Sequence, residues 1–243
     1  MGISENIVME TTKRGAEALG ISVSDSVVAA FGTYFRFLTE HAQNYNLTTI
    51  TEAEDVANLH FLDSLALLNV MNFDKLNVID IGSGAGFPGV PLKMVCPDMD
   101  LTLLDATGKR VDFLSKLCDT LSISALCIHA RAEEASHDSD MREQYDIATS
   151  RAVAQLNILC ELCLPFVRVG GYFLAMKGAS SEVEVEDAQS AIETLGAIVE
   201  KSVDYTIPET EVTHRVIVIR KTSPTPEKYP RRFAKIQKSP ISS

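Results

Sequence analysis

Apolar positions recur at three- and four-residue spacing through residues 26–44, where Val27, Phe31, Tyr34, Phe35, Leu38 and Ala42 form the stripe of an amphipathic helix. "YNLTTI" (45–50) breaks that rhythm. Thr51-Glu52-Ala53-Glu54 then has the spacing of a capping box and predicts a second helix through "VANLHFLDSLALLNV". From residue 76 the pattern shortens to β-branched or apolar runs: "LNVIDIG", "DLTLLDA", "ALCIHA", "YDIATS" and "GYFLAMKG". The first four are each followed by a stretch able to form a helix, which predicts repeated β-α units and a parallel sheet, an α/β fold. After the acidic helical segment "SEVEVEDAQSAIETLG", the runs "IVEKSVDYTI" and "HRVIVIRKT" predict an antiparallel hairpin on one sheet edge. The chain thus divides into a helical extension (1–72), an α/β core (73–222) and a tail (223–243) whose prolines make it read as non-globular.

Composition narrows the class. With 243 residues, 46% of them hydrophobic, the chain can fill an ordinary core. No apolar stretch approaches the 18 residues or so that a membrane span needs, and "MGISENIVMETTKRG" lacks the layout of a signal peptide. Asn6 stands where a myristoylation signal needs Ser or Thr. A cytoplasmic protein without a membrane partner is expected. The five cysteines are irregularly spaced and fit reduced, buried thiols; Cys160 and Cys163 form a C-x-x-C, but on the apolar side of a predicted helix, so core packing and no metal are expected. Residues 222–243 hold Lys228, Arg231, Arg232, Lys235 and Lys238 against Glu227, a net +4, which leaves −15 for the rest of a chain of formal net charge −11. An acidic body argues against indiscriminate nucleic-acid binding, while a basic end can touch phosphate locally.

Between "NVIDI" and the helical pattern "PGVPLKMV" lie Gly82, Gly84 and Gly86. In open α/β sheets ligands bind beyond the carboxyl ends of the strands, and glycines there let a ligand approach bare backbone. Gly84-Ala-Gly86-Phe-Pro-Gly89 also satisfies the dinucleotide pattern G-x-G-x-x-G, and Asp105, about 20 residues on, suits the ribose of either NAD or S-adenosylmethionine. A purely structural turn is the third possibility. Asp80, just ahead of the glycines, would put a carboxylate at the loop mouth, favourable for a ligand ammonium and unfavourable beside a pyrophosphate; Pro88 removes a donor that a pyrophosphate would use. These two residues favour the cationic ligand.

Several ordered blocks carry a wider resemblance: "YNLTTI" with Asn46, "LHFLDSL" with His60 and Asp63, "DIGSGAGFPGVPL", "LLDATGKRVDFL", "ARAEE", "SRAVA", "MKG" and "YPRR". Over nearly its whole length the chain resembles the small-subunit ribosomal RNA guanine-N7 methyltransferases, the family first named for glucose-inhibited division protein B. The resemblance implies a class I S-adenosylmethionine methyltransferase fold, a seven-stranded sheet with one reversed strand, and methyl transfer to N7 of a guanine in 16S ribosomal RNA. It implies that Gly82, Gly84, Gly86 and Phe87 line the methionine end of the cofactor, where the charge argument already sets Asp80, that Asp105 meets the ribose, and that Ala132 and Glu133 border the adenine. Arg151 would stand at the mouth shared by cofactor and substrate. Asn46, His60, Lys109, Arg131, Arg151 and Lys177 resemble the polar set around the target nucleotide, and Arg110, Arg231 and Arg232 join Lys109 as RNA contacts. Two positions depart from the family pattern: Leu59 where a basic residue often precedes the histidine, and Phe233-Ala234 where Pro-Gly commonly follows the arginines.

The chemistry constrains the search. Guanine N7 carries an in-plane lone pair and no proton, so methyl transfer needs no general base, and "TSRA" stands where amine-methylating enzymes carry an Asn-Pro-Pro-Tyr-like motif. Arg131, Arg151 and Lys177 end or follow predicted strands and should project at the glycine-loop edge, toward phosphates and guanine O6. Their bland alternatives are surface ion pairs and sheet-end caps. His60 could equally be a core histidine, Asn46 a helix terminator, and Glu182, Glu184, Glu186 and Asp187 a solvated helix face. The expected partner is 16S ribosomal RNA or the small-subunit particle, met by a monomer. The rival functions are a methyltransferase acting on a small molecule, a nicotinamide-dependent oxidoreductase, and a non-catalytic ribosome-binding module.

Overall fold

The computed structural model describes residues 2–45, 47–151 and 154–242, less the side chains of Gln43 and Asn44. Among them seven strands form one sheet: β1 (Asn77–Ile81), β2 (Asp100–Asp105), β3 (Leu126–His129), β4 (Tyr145–Ser150), β5 (Val167–Gly178), β6 (Ala197–Thr206) and β7 (Thr213–Lys221). Their order is β3-β2-β1-β4-β5-β7-β6, parallel as far as β5, with β7 antiparallel to both β5 and β6. Period-two alternation splits each strand between two cores. Val78, Leu103, Leu174 and Val218 face one side, and Ile79, Leu104, Phe173 and Ile219 the other.

The first core is closed by α1 (Ile3–Ala18) and α2 (Asp25–Tyr45) together with α5 (Gly89–Val95) and α6 (Gly108–Leu121); Phe31, Tyr34 and Leu38 of α2 are fully buried there. Between α2 and β1 runs α3 (Ala53–Val56), a π-helical turn (Ala57–Leu62), α4 (Asp63–Leu65) and a 3₁₀ turn (Ala66–Asn69). The capping box expected at Thr51 does not form: α3 starts at Ala53 behind Glu52 without a side-chain cap. Tertiary packing holds the segment instead, with Val56 fully buried. The second core is closed by α7 (Ala132–Ala135), α8 (Leu156–Cys163) and α9 (Glu182–Thr194), and Cys160 and Cys163 lie fully buried within it.

Residues 223–242 depart from the non-globular reading. They cross the second core's helices and end in α10 (Phe233–Lys238), whose Ile236 is fully buried. Prolines supply carbonyls but no amides, and carbonyls of this tail find side-chain donors on the body: Arg142 donates to Thr225 O at 2.8 Å and Tyr229 O at 3.0 Å, and His137 Nε2 to Pro230 O at 3.0 Å. Among the described residues no helix is long and apolar enough to cross a membrane, and no group of three or more His, Cys, Asp or Glu is placed to hold a metal ion.

Candidate active site

The glycine loop leaves β1 and turns into α5. Gly82, Gly84 and Gly86 all have positive φ. At Gly82 a Cβ would meet open space and at Gly84 only the Gly82 carbonyl at 3.8 Å, so the bare backbone is open there; at Gly86 it would come within 2.6 Å of Tyr34 Oη, so that glycine serves the packing of the loop on α2. Tyr34 Oη donates to Ala85 O at 2.6 Å, pinning the loop from behind. The cleft over the loop encloses about 330 Å³ and is walled by His60, Phe87, Arg110 and Arg151.

The loop's amides decide which ligand this cleft suits. Gly82 and Ser83 donate to Leu104 O, and Gly86 and Phe87 to Ser83 O. Gly84 donates to Asp105 Oδ2 at 3.0 Å and Gly89 to Asp80 Oδ2 at 3.0 Å. A pyrophosphate needs such amides for itself, and here four are spent on backbone carbonyls and two on the protein's own buried carboxylates. The open backbone over Asp105 fits a ligand with a positive centre.

Asp80 is not at the loop mouth, where the sequence pattern places it. Its side chain is fully buried beneath the loop, sharing strand parity with Val78, and burial pushes its carboxyl up to about 7 against the pull of the Gly89 amide and Arg151. Asp105 ends β2 as expected, its Oδ1 accepting the Thr107 amide at 2.8 Å and its Oδ2 lying 3.7 Å from the Arg110 guanidinium. Arg110 therefore faces the cleft over the glycine loop, while Lys109, at the first turn of α6, is exposed to solvent.

Arg151 follows β4 and meets the π-helical turn. Its guanidinium donates to Leu59 O at 3.0 Å, Asp63 Oδ2 at 2.9 Å and His60 Nδ1 at 3.2 Å, and lies 4.8 Å over the Phe87 ring. His60 Nδ1 lies 3.1 Å from Leu59 O as well as 3.2 Å from this guanidinium, so it faces an acceptor and a donor at once, and its Nε2 lies 3.0 Å from Thr48 Oγ1. Burial and the Arg151 charge push the imidazole down to about 4, so it is neutral at pH 7. His60 stacks on Phe87 at 4.6 Å, and Phe87 on Tyr34 at 5.3 Å.

The centre of this network is a residue to which the sequence pattern assigns no role. Asp63, 1% exposed, takes Arg151 on one oxygen and on the other Tyr205 Oη at 2.6 Å and His214 Nδ1 at 2.7 Å. Tyr205 and His214 are direct partners across β6 and β7, which is why both reach the same carboxylate. Burial opposes the charge, but these donors hold the Asp63 carboxyl below its ordinary value, and Asp63 in turn raises His214. Lys177, at the end of β5, donates to Ala154 O at 2.8 Å and pairs with Glu184 at 2.6 Å. Glu184 is thus not part of a purely solvated face.

Two of the expected cations stand elsewhere. Arg131 follows β3, and the strand order sets β2 and β1 between it and β4, three strand spacings or about 14 Å of sheet. It pairs with Glu133 at 2.5 Å, lies 5.0 Å over the Phe233 ring and, with Glu133 and Arg232, lines a separate cleft under the tail; Ala132 beside it is buried at the start of α7. Arg231, expected at RNA, is a clamp: its backbone N–H and Nε both donate to Glu161 Oε1 at 2.8 Å, and its terminal nitrogen to Oε2 at 2.6 Å. The fully buried Glu161 needs that counter-ion. Asn46 lies outside the described residues.

Comparison with known proteins agrees with this geometry. The family model GidB, described as rRNA small subunit methyltransferase G, matches residues 28–213. A ribosomal RNA small subunit methyltransferase G from Alkaliphilus oremlandii is 44% identical over 231 residues, 94% of this chain and 97% of that one. Another from Caldanaerobacter subterraneus subsp. tengcongensis is 45% identical over 237 residues, 96% and 98% of the two chains. Among solved structures, a SAM-dependent methyltransferase from Aquifex aeolicus matches with a TM-score of 0.52 at 15% identity over 68% of this chain and 92% of that one, a likeness of fold. Model, relatives and sheet order agree, and the chain belongs to the rRNA small subunit methyltransferase G family.

Proposed function

We propose that this protein transfers a methyl group from S-adenosylmethionine to N7 of a guanine in 16S ribosomal RNA, acting in the cytoplasm as a monomer on the RNA or the small-subunit particle. The observation that carries the reading is that Arg151 walls both the cleft over the glycine loop and a second pocket lined by Asp63, Lys177, Glu184 and His214. One side chain separates a place for a donor from a place for a base. When bound, S-adenosylmethionine supplies an electrophilic methyl carbon on a sulfonium.

The protein's own part is positioning. Gly82, Gly84 and Phe87 hold the methionine end, Asp105 the ribose, and Ala132, at the start of α7, the far side toward the adenine, with the neighbouring Glu133 turned to Arg131 in the cleft under the tail. Because N7 has no proton to lose, no side chain has to act as a base, and the neutral, fully bonded His60 suits a purely orienting role. Fixed alignment alone can contribute up to roughly 7–11 kcal/mol. The cations here are paired: Arg151 with Asp63, Lys177 with Glu184, Arg110 with Asp105. That pairing lets arginine and lysine touch phosphate and guanine O6 without repelling a neighbouring sulfonium. Lys109 and Arg232, both open to solvent, remain available to RNA phosphates.

The test is mass mapping of ribosomal RNA after incubating purified protein and S-adenosylmethionine with undermethylated small subunits. One new methyl on one guanine, at N7 by its sensitivity to reduction and strand cleavage, is expected. Transfer to another atom, or only to small metabolites, refutes the assignment.

A further inference from the structure

The pocket beyond Arg151 holds a carboxylate that the reaction above does not use. It encloses about 400 Å³, and its polar lining is Asp63, Arg151, Lys177, Glu184 and His214. Of its two carboxylates, Asp63 is saturated by Arg151, His214 and Tyr205. Glu184 is not. Its Oε2 takes the Lys177 ammonium at 2.6 Å and the Leu156 amide at 3.1 Å, while its Oε1 accepts no hydrogen bond from any described residue.

Guanine shows N7 and O6 as acceptors on one edge and, next to O6, the donors N1–H and N2–H. If N7 points through the Arg151 wall toward the glycine-loop cleft, the N1 and N2 donors turn to the opposite wall. Resting on the methyl-transfer reading above, we propose that Glu184 selects guanine: its free oxygen accepts from N1–H and N2–H, and Lys177, held on its other oxygen, donates to O6. An acceptor fixed beside a donor is the complement of that stretch of guanine. Adenine has the reverse order there, an amine beside a bare N1, so it would set amine against ammonium and lone pair against carboxylate. Pyrimidines have no N7 to offer.

Inosine tests this, since it keeps N7, O6 and N1–H and lacks only the N2 amine. Small subunits are reconstituted with guanosine or inosine at the methylated nucleotide, and kcat/KM is measured for wild type, Glu184→Ala and Glu184→Gln, with thermal melts as a check on folding. Wild type should prefer guanosine by roughly 10- to 100-fold, the loss expected for a hydrogen bond to a charged group. Glu184→Ala should bring the two substrates within about twofold of each other, chiefly by losing activity on guanosine, and Glu184→Gln, which keeps an oxygen for the Leu156 amide, should fall between. A purely structural role for Glu184 predicts equal losses on both substrates, and that result overturns the proposal, as does a wild type indifferent to the N2 amine. Wild type that methylates no guanosine particle refutes the function itself, and this selection with it.

Discussion

Replacing Asp80 by asparagine should stabilise the protein more and more as pH rises. Burial beneath the glycine loop lifts this carboxyl from its ordinary 3.8 to about 7. The folded chain therefore holds a proton that the unfolded chain has already released, and stability drains away as pH climbs from about 4 to about 7. With 1.36 kcal/mol per pKa unit, the cost is about 1.5 kcal/mol at pH 5 and about 4 kcal/mol at pH 8. An asparagine at this position has no proton to lose and escapes that cost, so the stability difference between Asp80→Asn and wild type should widen by about 2.5 kcal/mol between those pH values. His60, lowered to about 4, destabilises in the opposite direction as pH falls from 6.5, and Asp63, lowered, contributes stability that is lost only as pH drops below about 4. Both titrate in both proteins and cancel in the difference. Urea unfolding at several pH values reads it out. Parallel profiles would refute the burial argument, and parallel profiles with weakened S-adenosylmethionine binding would return Asp80 to the loop mouth.

Arg151→Ala should lower kcat/KM by on the order of 100-fold or more with circular dichroism unchanged, and Arg151→Lys should not rescue it, because an ammonium cannot reach Leu59, His60 and Asp63 together while covering Phe87. Gly86→Ala should cost about 1–3 kcal/mol in urea unfolding and weaken S-adenosylmethionine binding in calorimetry, since its Cβ would sit 2.6 Å from Tyr34 Oη at a positive φ. Arg231→Ala should cost about 3–5 kcal/mol by leaving Glu161 buried and unmatched, whereas the exposed Arg232→Ala should stay within about 0.5 kcal/mol of wild type. Equal effects of the two arginines would contradict the clamp.

The strands and the glycine loop are readable because they are local: period-two runs and a cluster of small residues need no knowledge of distant chain. The burial of Asp80 is readable too, since it shares parity with Val78, but the attraction of a ligand ammonium argues for the opposite placement and hides that parity. Strand order is not readable. Arg131, Arg151 and Lys177 all end or follow strands, and only the sequence β3-β2-β1-β4-β5 shows that Arg131 is set apart. Asp63 meets partners 88, 142 and 151 residues away, separations at which no local pattern speaks. Glu184 looks solvated because its helix has charge at every other position, and the pattern cannot say that the first turn folds back over the end of β5. The tail misleads for a similar reason: its prolines lack amides, and the donors that rescue its carbonyls lie on other elements.

The clamp on Glu161 also sets an order of events. Its arginine is made seventy residues later, after β7 has supplied Ile217 and Ile219 to the same core, so the core and the cation that neutralises its anion are completed almost together. A product cut short by a premature stop between Lys221 and Arg231 would keep all seven strands but leave that anion without its mate, and would unfold more often within reach of cellular proteases. One ion pair thus lets completeness of the chain be read as durability.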